Sequence, residues 1–440
     1  MNRRKFLGLA AASTAAVGRF GIVPSGVLGQ DAPSETLRIG CIGNGRMGRG
    51  DMLECLQQGL TASGRAHIVA VCDVDSSRAL QAQRTATETY KRRLPPGKSI
   101  PNIQVFDDYR ELLARDDIDG VTISTPDHWH AGIAIAAAAA GKDIYLQKPL
   151  TYTIVEGQKL VQAVRRNHVV LQAGTQQRSS DNFRNACELV RNGRIGKLHT
   201  IEVRLPADSG VGNANAVSVP KNLNFDRWLG PSALAPYSPD RVHPQDGLGR
   251  PGWLQIEAYS RGMITGWGSH MFDIAQWGHG SDDSGLTEVE ATADFPDRGL
   301  FDVHTNFRSL ARYADGVRLL AQTGEPAGVK FLGDEGWIDV GRSRLAAESP
   351  GILQEPSDQR KLRLYQSDQH MLDFLQSMRS RRDPVCPVEV AHRANSICVI
   401  THIAMKLKRK LRWDPVGERF VDDETANGLL DYTHRAPWTV

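Results

Sequence analysis

The chain has no CxxC pair, no HExxH and no Cys/His spacing of a zinc site, and its six cysteines (Cys41, Cys55, Cys72, Cys187, Cys386, Cys398) are scattered. No resident metal is therefore expected. Cys41 and Cys72 fall inside apolar, strand-like runs, so the cysteines read as buried thiols rather than a disulfide framework, which a chain of 440 residues does not need. An excess of one charge is also missing. With 53 basic and 50 acidic side chains the net charge is +3, which gives no electrostatic footprint for a nucleic acid. The densest basic stretch, 406–412 (KLKRKLR), alternates with Leu407 and Leu411 and reads as the solvated end of an amphipathic helix. No segment has the roughly 20 consecutive apolar residues of a spanning helix.

The first thirty residues differ from the rest. Arg3 and Arg4 in MNRRK precede Phe6, Leu7 and a small apolar run, 8–18, that Arg19 ends too soon for a membrane span. This is the pattern of a twin-arginine signal over 1–29, with cleavage before Gln30, and it predicts export to the periplasm by the twin-arginine machinery. That route carries proteins already folded, often around a cofactor. The full chain, at 40% hydrophobic and 23% charged residues, is of globular composition and too long for one core, so two domains are expected.

Residues 37–43 (LRIGCIG) are β-prone and lead into Gly43-Asn44-Gly45-Arg46-Met47-Gly48 and a helical stretch. In this context GxGxxG predicts a dinucleotide turn: the first glycine makes the turn, the second admits a pyrophosphate and the third lets helix and strand pack. The next strand, 67–74 (HIVAVCDV), brings Asp73, thirty residues after Gly43, to where a carboxylate binds ribose hydroxyls and repels a 2′-phosphate, favouring NAD over NADP. Asp73 could also be a strand-end or cap carboxylate, and Asp75 and Ser76 are equally able to cap the following helix. Further strands at 120–126 (GVTISTP), 143–149 (DIYLQKP) and 168–175 (HVVLQAGT) alternate with helices at 77–94, 110–115, 131–140 and 153–166. A doubly wound parallel sheet over 36–177 follows, with ligands at the carboxyl ends of its strands. Ser124, Thr125 and Pro126 at one such end are cofactor candidates, and His128 and His130 behind them either face the cofactor or are structural. Lys148 ends another strand before Pro149, where an ammonium can orient a hydroxyl and favour its alkoxide.

After Arg178 the pattern changes. A helix at 182–193 precedes β-prone stretches at 198–205, 286–295, 304–312, 317–323 and 329–332 without long helices between them, predicting an α+β domain over 178–440 with a large, mainly antiparallel sheet. Helices are expected at 367–379 and 388–409. The irregular stretch holding Trp228, Arg241 and His243 is either a sugar-binding loop or a packed excursion. In 262–277 (GMITGWGSHMFDIAQW), His270 and Asp273 are three apart on one helical face beside Trp267.

Taken together, GNGRMG, VAVCDVD, VTISTPDHWHAGIAIAAAAAGKDIYLQKPL and GTQQRS resemble the Gfo/Idh/MocA family of sugar and cyclitol dehydrogenases in order and spacing. The resemblance implies hydride transfer between NAD and a carbohydrate or cyclitol hydroxyl, and a second-domain sheet often used to form homo-oligomers. Gln147-Lys148-Pro149 is similar to the family's Glu-Lys-Pro, whose lysine binds the reacting hydroxyl; Gln147 departs from it. The segment around His270 resembles the family's acid/base region, with Gly266 where an aspartate is usual. The resemblance therefore implies catalytic Lys148 and His270, with Asp273 either supporting the imidazole or paired elsewhere, and a substrate site that includes Arg178, Trp228, Arg241, His243 and Trp267. Some relatives with similar export signals are NAD-dependent glycosidases, and a sugar-binding protein without turnover is a third reading.

Overall fold

The computed structural model describes residues 36–354 and 360–438; the expected signal over 1–29 lies outside them. The first domain has six short strands, β1 (Leu37–Ile42), β2 (Ala66–Cys72), β3 (Gln104–Phe106), β4 (Gly120–Ile123), β5 (Asp143–Leu146) and β6 (Leu171–Ala173), and all but the edge strand β3 are buried along most of their length, as a sheet covered on both faces demands. They pair in parallel in the order β3-β2-β1-β4-β5-β6. The order reverses between β1 and β4, which opens a crevice at their carboxyl ends. Helices α1 (Arg46–Gly59), α2 (Ser76–Arg93), α3 (His130–Ala139) and α4 (Ile154–Arg166) cover the sheet. The alanines of α3 let it pack closely on α4, whose start is fixed by a capping box between Thr153 and Glu156.

The second sheet has nine strands: β7 (Leu198–Leu205), β8 (Leu286–Asp294), β9 (Asn306–Tyr313), β10 (Arg318–Thr323), β11 (Gly328–Gly333), β12 (Gly336–Gly341), β13 (Arg344–Ala347), β14 (Leu411–Asp414) and β15 (Arg419–Phe420). Its order is β13-β12-β11-β7-β10-β9-β8-β14-β15, and only β7 with β10 is parallel. Alternation along β9 sends Phe307, Ala311 and Tyr313 inward and charged residues outward, so one face is dry. On that face lie α5 (Asp181–Arg191), α6 (Gly268–His279) and α8 (Val388–Leu407). Helix α6 is buried from Gly268 through Gly278. A helix buried nearly all round, its polar Ser269, His270, Asp273 and Gln276 included, belongs at the centre of the molecule, and this one carries His270 up to the crevice.

Two features depart from the sequence reading. Helix α7 (His370–Ser380) returns to the first domain, where Met371, Phe374, Leu375 and Met378 pack with Ile39, Cys55, Ala66, Tyr145 and Val170. The first domain's covering layer is therefore completed from beyond residue 178. The basic run is not one helix end: α8 stops at Leu407, Lys408 turns left-handed at φ 52°, and Leu411 opens β14. Lys406, Arg409, Lys410 and Arg412 each meet a carboxylate, on Glu257, Asp423, Glu288 and Asp422. All six cysteines are free and buried. No helix among the described residues is long and apolar enough to cross a membrane.

Candidate active site

A cavity of about 820 Å³ runs along the carboxyl ends of β1, β4 and β5, walled on the far side by α6 and the second-domain loops. Its first end is the glycine turn. Gly43 has φ 80°, and a Cβ there would lie 2.8 Å from the Ser124 carbonyl and the Thr125 nitrogen. A Cβ on Gly48 would stand 1.9 Å from the Gly43 oxygen, so this glycine sets how closely α1 approaches β1. Gly45 is the N-cap of α1 and supplies no side-chain cap; the first turn contains no acid, and Arg46 and Met47 stand exposed at the cavity rim. Those free N–H groups are what an anionic pyrophosphate would occupy.

Asp73 lies across the turn, where its carboxylate accepts the Asn44 N–H at 2.7 Å and the Asp75 N–H at 3.0 Å. Burial raises its pKa against those bonds and against the nearby His243 and Arg78. Capping belongs to Asp75, which accepts the Ser77 and Arg78 N–H groups and pairs with His243 Nε2 at 2.9 Å. This leaves Asp73 facing the cavity. It also corrects the expectation for His243, which sits at the Asp73 end and not where a substrate would react.

The opposite end gathers Lys148, Asp127 and His270. Lys148, half-buried at the end of β5, has its pKa lowered by burial, an effect opposed by Asp127 and Asp51. Asp127, just past β4, accepts the Ser260 hydroxyl at 2.7 Å, and burial pushes its carboxyl up to about 7 while Lys148 pulls it down. Asp51 reaches in from α1, accepting the Ser124 hydroxyl at 2.7 Å and, on both oxygens, the Gln147 amide at 3.0 Å. Burial pushes Asp51 up to about 6. The carboxylate missing at Gln147 is thus supplied one residue layer away, from a helix. His270 is buried with Nδ1 unpartnered, and its pKa is held well below the usual value by burial and by the positive charge of Lys148 and Arg342. Trp267 lines this end with the Arg342 guanidinium 4.4 Å above its ring.

Several expected site residues lie elsewhere. His130 spans two carbonyls, its Nδ1 2.6 Å from the Pro149 oxygen and Nε2 3.0 Å from the Thr125 oxygen, and so ties the ends of β4 and β5 together. Two acceptors favour protonation, but burial outweighs them and pushes this imidazole down to about 4. His128 donates from Nε2 to the Trp228 oxygen at 3.1 Å and packs against Trp228 and Tyr259; burial pushes it down to about 3. Both histidines shape the wall from behind it. Asp273 is turned from His270 toward Arg178, whose Nε meets both its oxygens at 2.9 Å, while Arg178 also pairs with Asp282 at 2.7 Å and lies over Trp277. That ion cluster locks α6 to the turn after β6, so neither residue is available to a substrate. Arg241 donates to the Pro236 oxygen and the Tyr259 hydroxyl, bracing its loop. Trp228 and Trp267 do line the cavity, as do Ser124, Thr125 and Pro126.

Sequence reasoning missed Asp127, Asp51, Gln177 and Arg342. Asp127 follows Pro126 at a strand end, a position that carries chemistry in such sheets. Gln177 is 4% exposed with both amide atoms unpartnered at the cavity wall. Arg342 comes from the β12–β13 turn, which no local pattern links to the crevice. Among the described residues no group of three His, Cys, Asp or Glu side chains is placed to hold a metal ion.

Two family descriptions match: "Oxidoreductase family, NAD-binding Rossmann fold" over residues 37–175, and "Oxidoreductase family, C-terminal alpha/beta domain" over 204–440, more than half of the chain. Similar curated proteins include the uncharacterized oxidoreductase YrbE of Bacillus subtilis, 29% identical over 164 residues (37% of this chain, 42% of that protein). A glycosyl hydrolase family 109 protein of Shewanella putrefaciens is 32% identical over 184 residues (38% and 37%). The myo-inositol 2-dehydrogenase of Thermotoga maritima is 27% identical over 169 residues (38% and 44%). The chain spans less than half the length of these relatives. Among solved structures, the WlbA dehydrogenase from Bordetella pertussis in complex with NADH and UDP-GlcNAcA is 16% identical with a TM-score of 0.62, covering 86% of this chain and 99% of that one. Levoglucosan dehydrogenase in complex with NADH and levoglucosan is 18% identical with a TM-score of 0.63, covering 86% and 99%. At such identity the likeness is one of fold.

Proposed function

Because the chain belongs to the Gfo/Idh/MocA oxidoreductase family and has its NAD-binding Rossmann fold, we propose that it oxidises or reduces a carbohydrate or cyclitol at a single carbinol carbon. The observation that carries this reading is convergence: Lys148, Asp127 and His270 arrive from three segments at one end of a cavity whose other end is the glycine turn and Asp73. NAD, when bound, supplies the hydride acceptor. The chain's own residues handle the proton and the oxygen. Lys148 Nζ donates to the carbinol oxygen and stabilises the charge that develops there. Asp127, near 7, takes and returns the proton at neutral pH, and the neutral His270 ring orients the hydroxyl. The roles differ from those expected from sequence alone, in which His270 moved the proton. A buried imidazole beside two cations is a weak base.

Purified protein tested with NAD and a panel of free sugars and cyclitols should generate NADH. Failure to bind NAD, or no redox change with any of them, would remove the reading. A second reading is supported by the Shewanella relative and by Gly266, where an added Cβ would meet only Met263 Sδ at 3.9 Å, leaving room for an aglycone. Glycoside cleavage with no net NADH would mark that alternative.

Asp73→Ala is expected to weaken NAD binding by about one to two decades, because a charge-assisted hydrogen bond contributes roughly 1.5–3 kcal/mol, and to affect NADP less. Titration of both cofactors checks this, and unchanged NAD affinity would end the role given to Asp73. We further propose export by the twin-arginine route, supported by Arg3-Arg4 and the apolar run after them, and homo-oligomers formed through the open face of the nine-stranded sheet. Cell fractionation should find the Arg3→Lys/Arg4→Lys protein folded and cofactor-bound in the cytoplasm; efficient export of it would count against the signal.

A further inference from the structure

The reacting end of the cavity is more positive than a neutral polyol requires. Arg110, Arg227 and Arg250 line the same cavity, and each has a carboxylate partner: Asp108 at 2.6 Å, Asp107 at 2.9 Å and Asp208 at 2.8 Å. Arg46 and Arg78 stand at the glycine turn and Asp73, the other end, whereas Arg342 at the reacting end has no carboxylate partner among the described residues. Its side chain is exposed at the rim, held by the face of Trp267 at 4.4 Å, and it shares that end with Lys148 and His270. Asp127 is the lining acid at this end and is only part ionised at neutral pH, and Asp51, behind Gln147, also faces Lys148, so the carboxylates here answer to the lysine and none is set against Arg342. Burial first, and then the charges of Lys148 and Arg342, hold the His270 imidazole well below its usual value at this end.

We propose, building on the oxidoreductase reading above, that the substrate is a sugar acid whose carboxylate is bound by Arg342. A planar guanidinium forks onto a carboxylate, and stacking on Trp267 fixes the fork's plane before the substrate arrives. A phosphate dianion would call for more donors than this one arginine. The rest of the molecule is polyhydroxylated: Gln177 presents a buried donor and a buried acceptor, both unpartnered, to the same cavity, and a hydroxyl satisfies either. The carboxylate thus docks at the rim while the carbinol reaches Lys148 deeper in.

The test uses NADH-loaded full-length protein titrated with D-glucuronate against D-glucose, D-galacturonate against D-galactose, and glucose 6-phosphate, followed by calorimetry. In at least one pair the acid should bind about tenfold or more tightly, the advantage shrinking at high salt. Arg342→Met, which keeps an apolar stem on Trp267, should erase the advantage without changing NADH affinity, and Arg342→Lys should restore part of it. Equal or tighter binding of the neutral sugars, no binding by any of these compounds, preference for the phosphate, or an unchanged acid preference in Arg342→Met would overturn the proposal. Failure of the wild type to bind NADH is a separate result and overturns the oxidoreductase reading instead.

Discussion

Lys148→Ala should bind NAD like the wild type and turn over its substrate on the order of 10²- to 10³-fold more slowly, the loss typical of removing one donor aimed at a developing oxyanion. Binding survives because the glycine turn, the start of α1 and Asp73 lie at the other end of the cavity. Turnover does not, because the ammonium interacts with the carbinol oxygen most strongly as that oxygen becomes negative. Lys148→Arg should not rescue it: the guanidinium is larger, stays charged, and would sit in a half-buried position already crowded by Gln147 and Asp51. Single-turnover absorbance at the NADH band separates the two steps. A variant with near-normal turnover would reduce the lysine to a packing role.

How much of this was legible beforehand follows from which contacts are local. The glycine turn, Asp73 and Lys148 belong to a repeating strand–turn–helix unit whose period is written in some thirty residues at a time, so sequence order fixes their place at the carboxyl edge. Only β3, a three-residue strand with a partly exposed pattern, escaped in the first sheet. The second domain was less readable. β12 and β13 are short and partly exposed along much of their length, and β14 lies behind a basic run that masks a strand start. Arg342 inherits that obscurity. Histidine roles were least legible, because a buried imidazole and a reacting one look alike in sequence. His128 and His130 are decided by carbonyl oxygens from residues up to a hundred positions away, and His270 by its lack of such a partner. Asp273 stayed open between two roles for a related reason: spacing put it near His270, and only Arg178, ninety-five positions away, decides that it is paired elsewhere.

Asp127→Asn is expected to have the other large effect, and the effect has a pH signature. If Asp127 accepts the carbinol proton, its loss should cost on the order of 10²- to 10⁴-fold in turnover. In the wild type, kcat/KM should rise as pH passes through about 7, where burial has placed this carboxyl, and the variant should lack that limb. Asparagine keeps an oxygen to accept the Ser260 hydroxyl, so the local fold should persist. Stability should move the opposite way from activity. The folded-state pKa is raised above the unfolded value of about 3.9, so between about pH 4 and about pH 7 the folded protein holds a proton that the unfolded chain has released. This group therefore makes the wild type less stable as pH rises across that window, and the variant does not share the loss. Lys148 sets a counter-effect: without Asp127 its ammonium keeps only Asp51 as an opposing charge and its pKa falls further, which cuts into the gain while Lys148 stays protonated. Denaturant titrations at pH 5 and 8 should show the variant gaining on the wild type at the higher pH. A variant whose turnover keeps the wild-type limb near 7 would place the proton on another group, and His270→Ala would then be the informative enzyme to make.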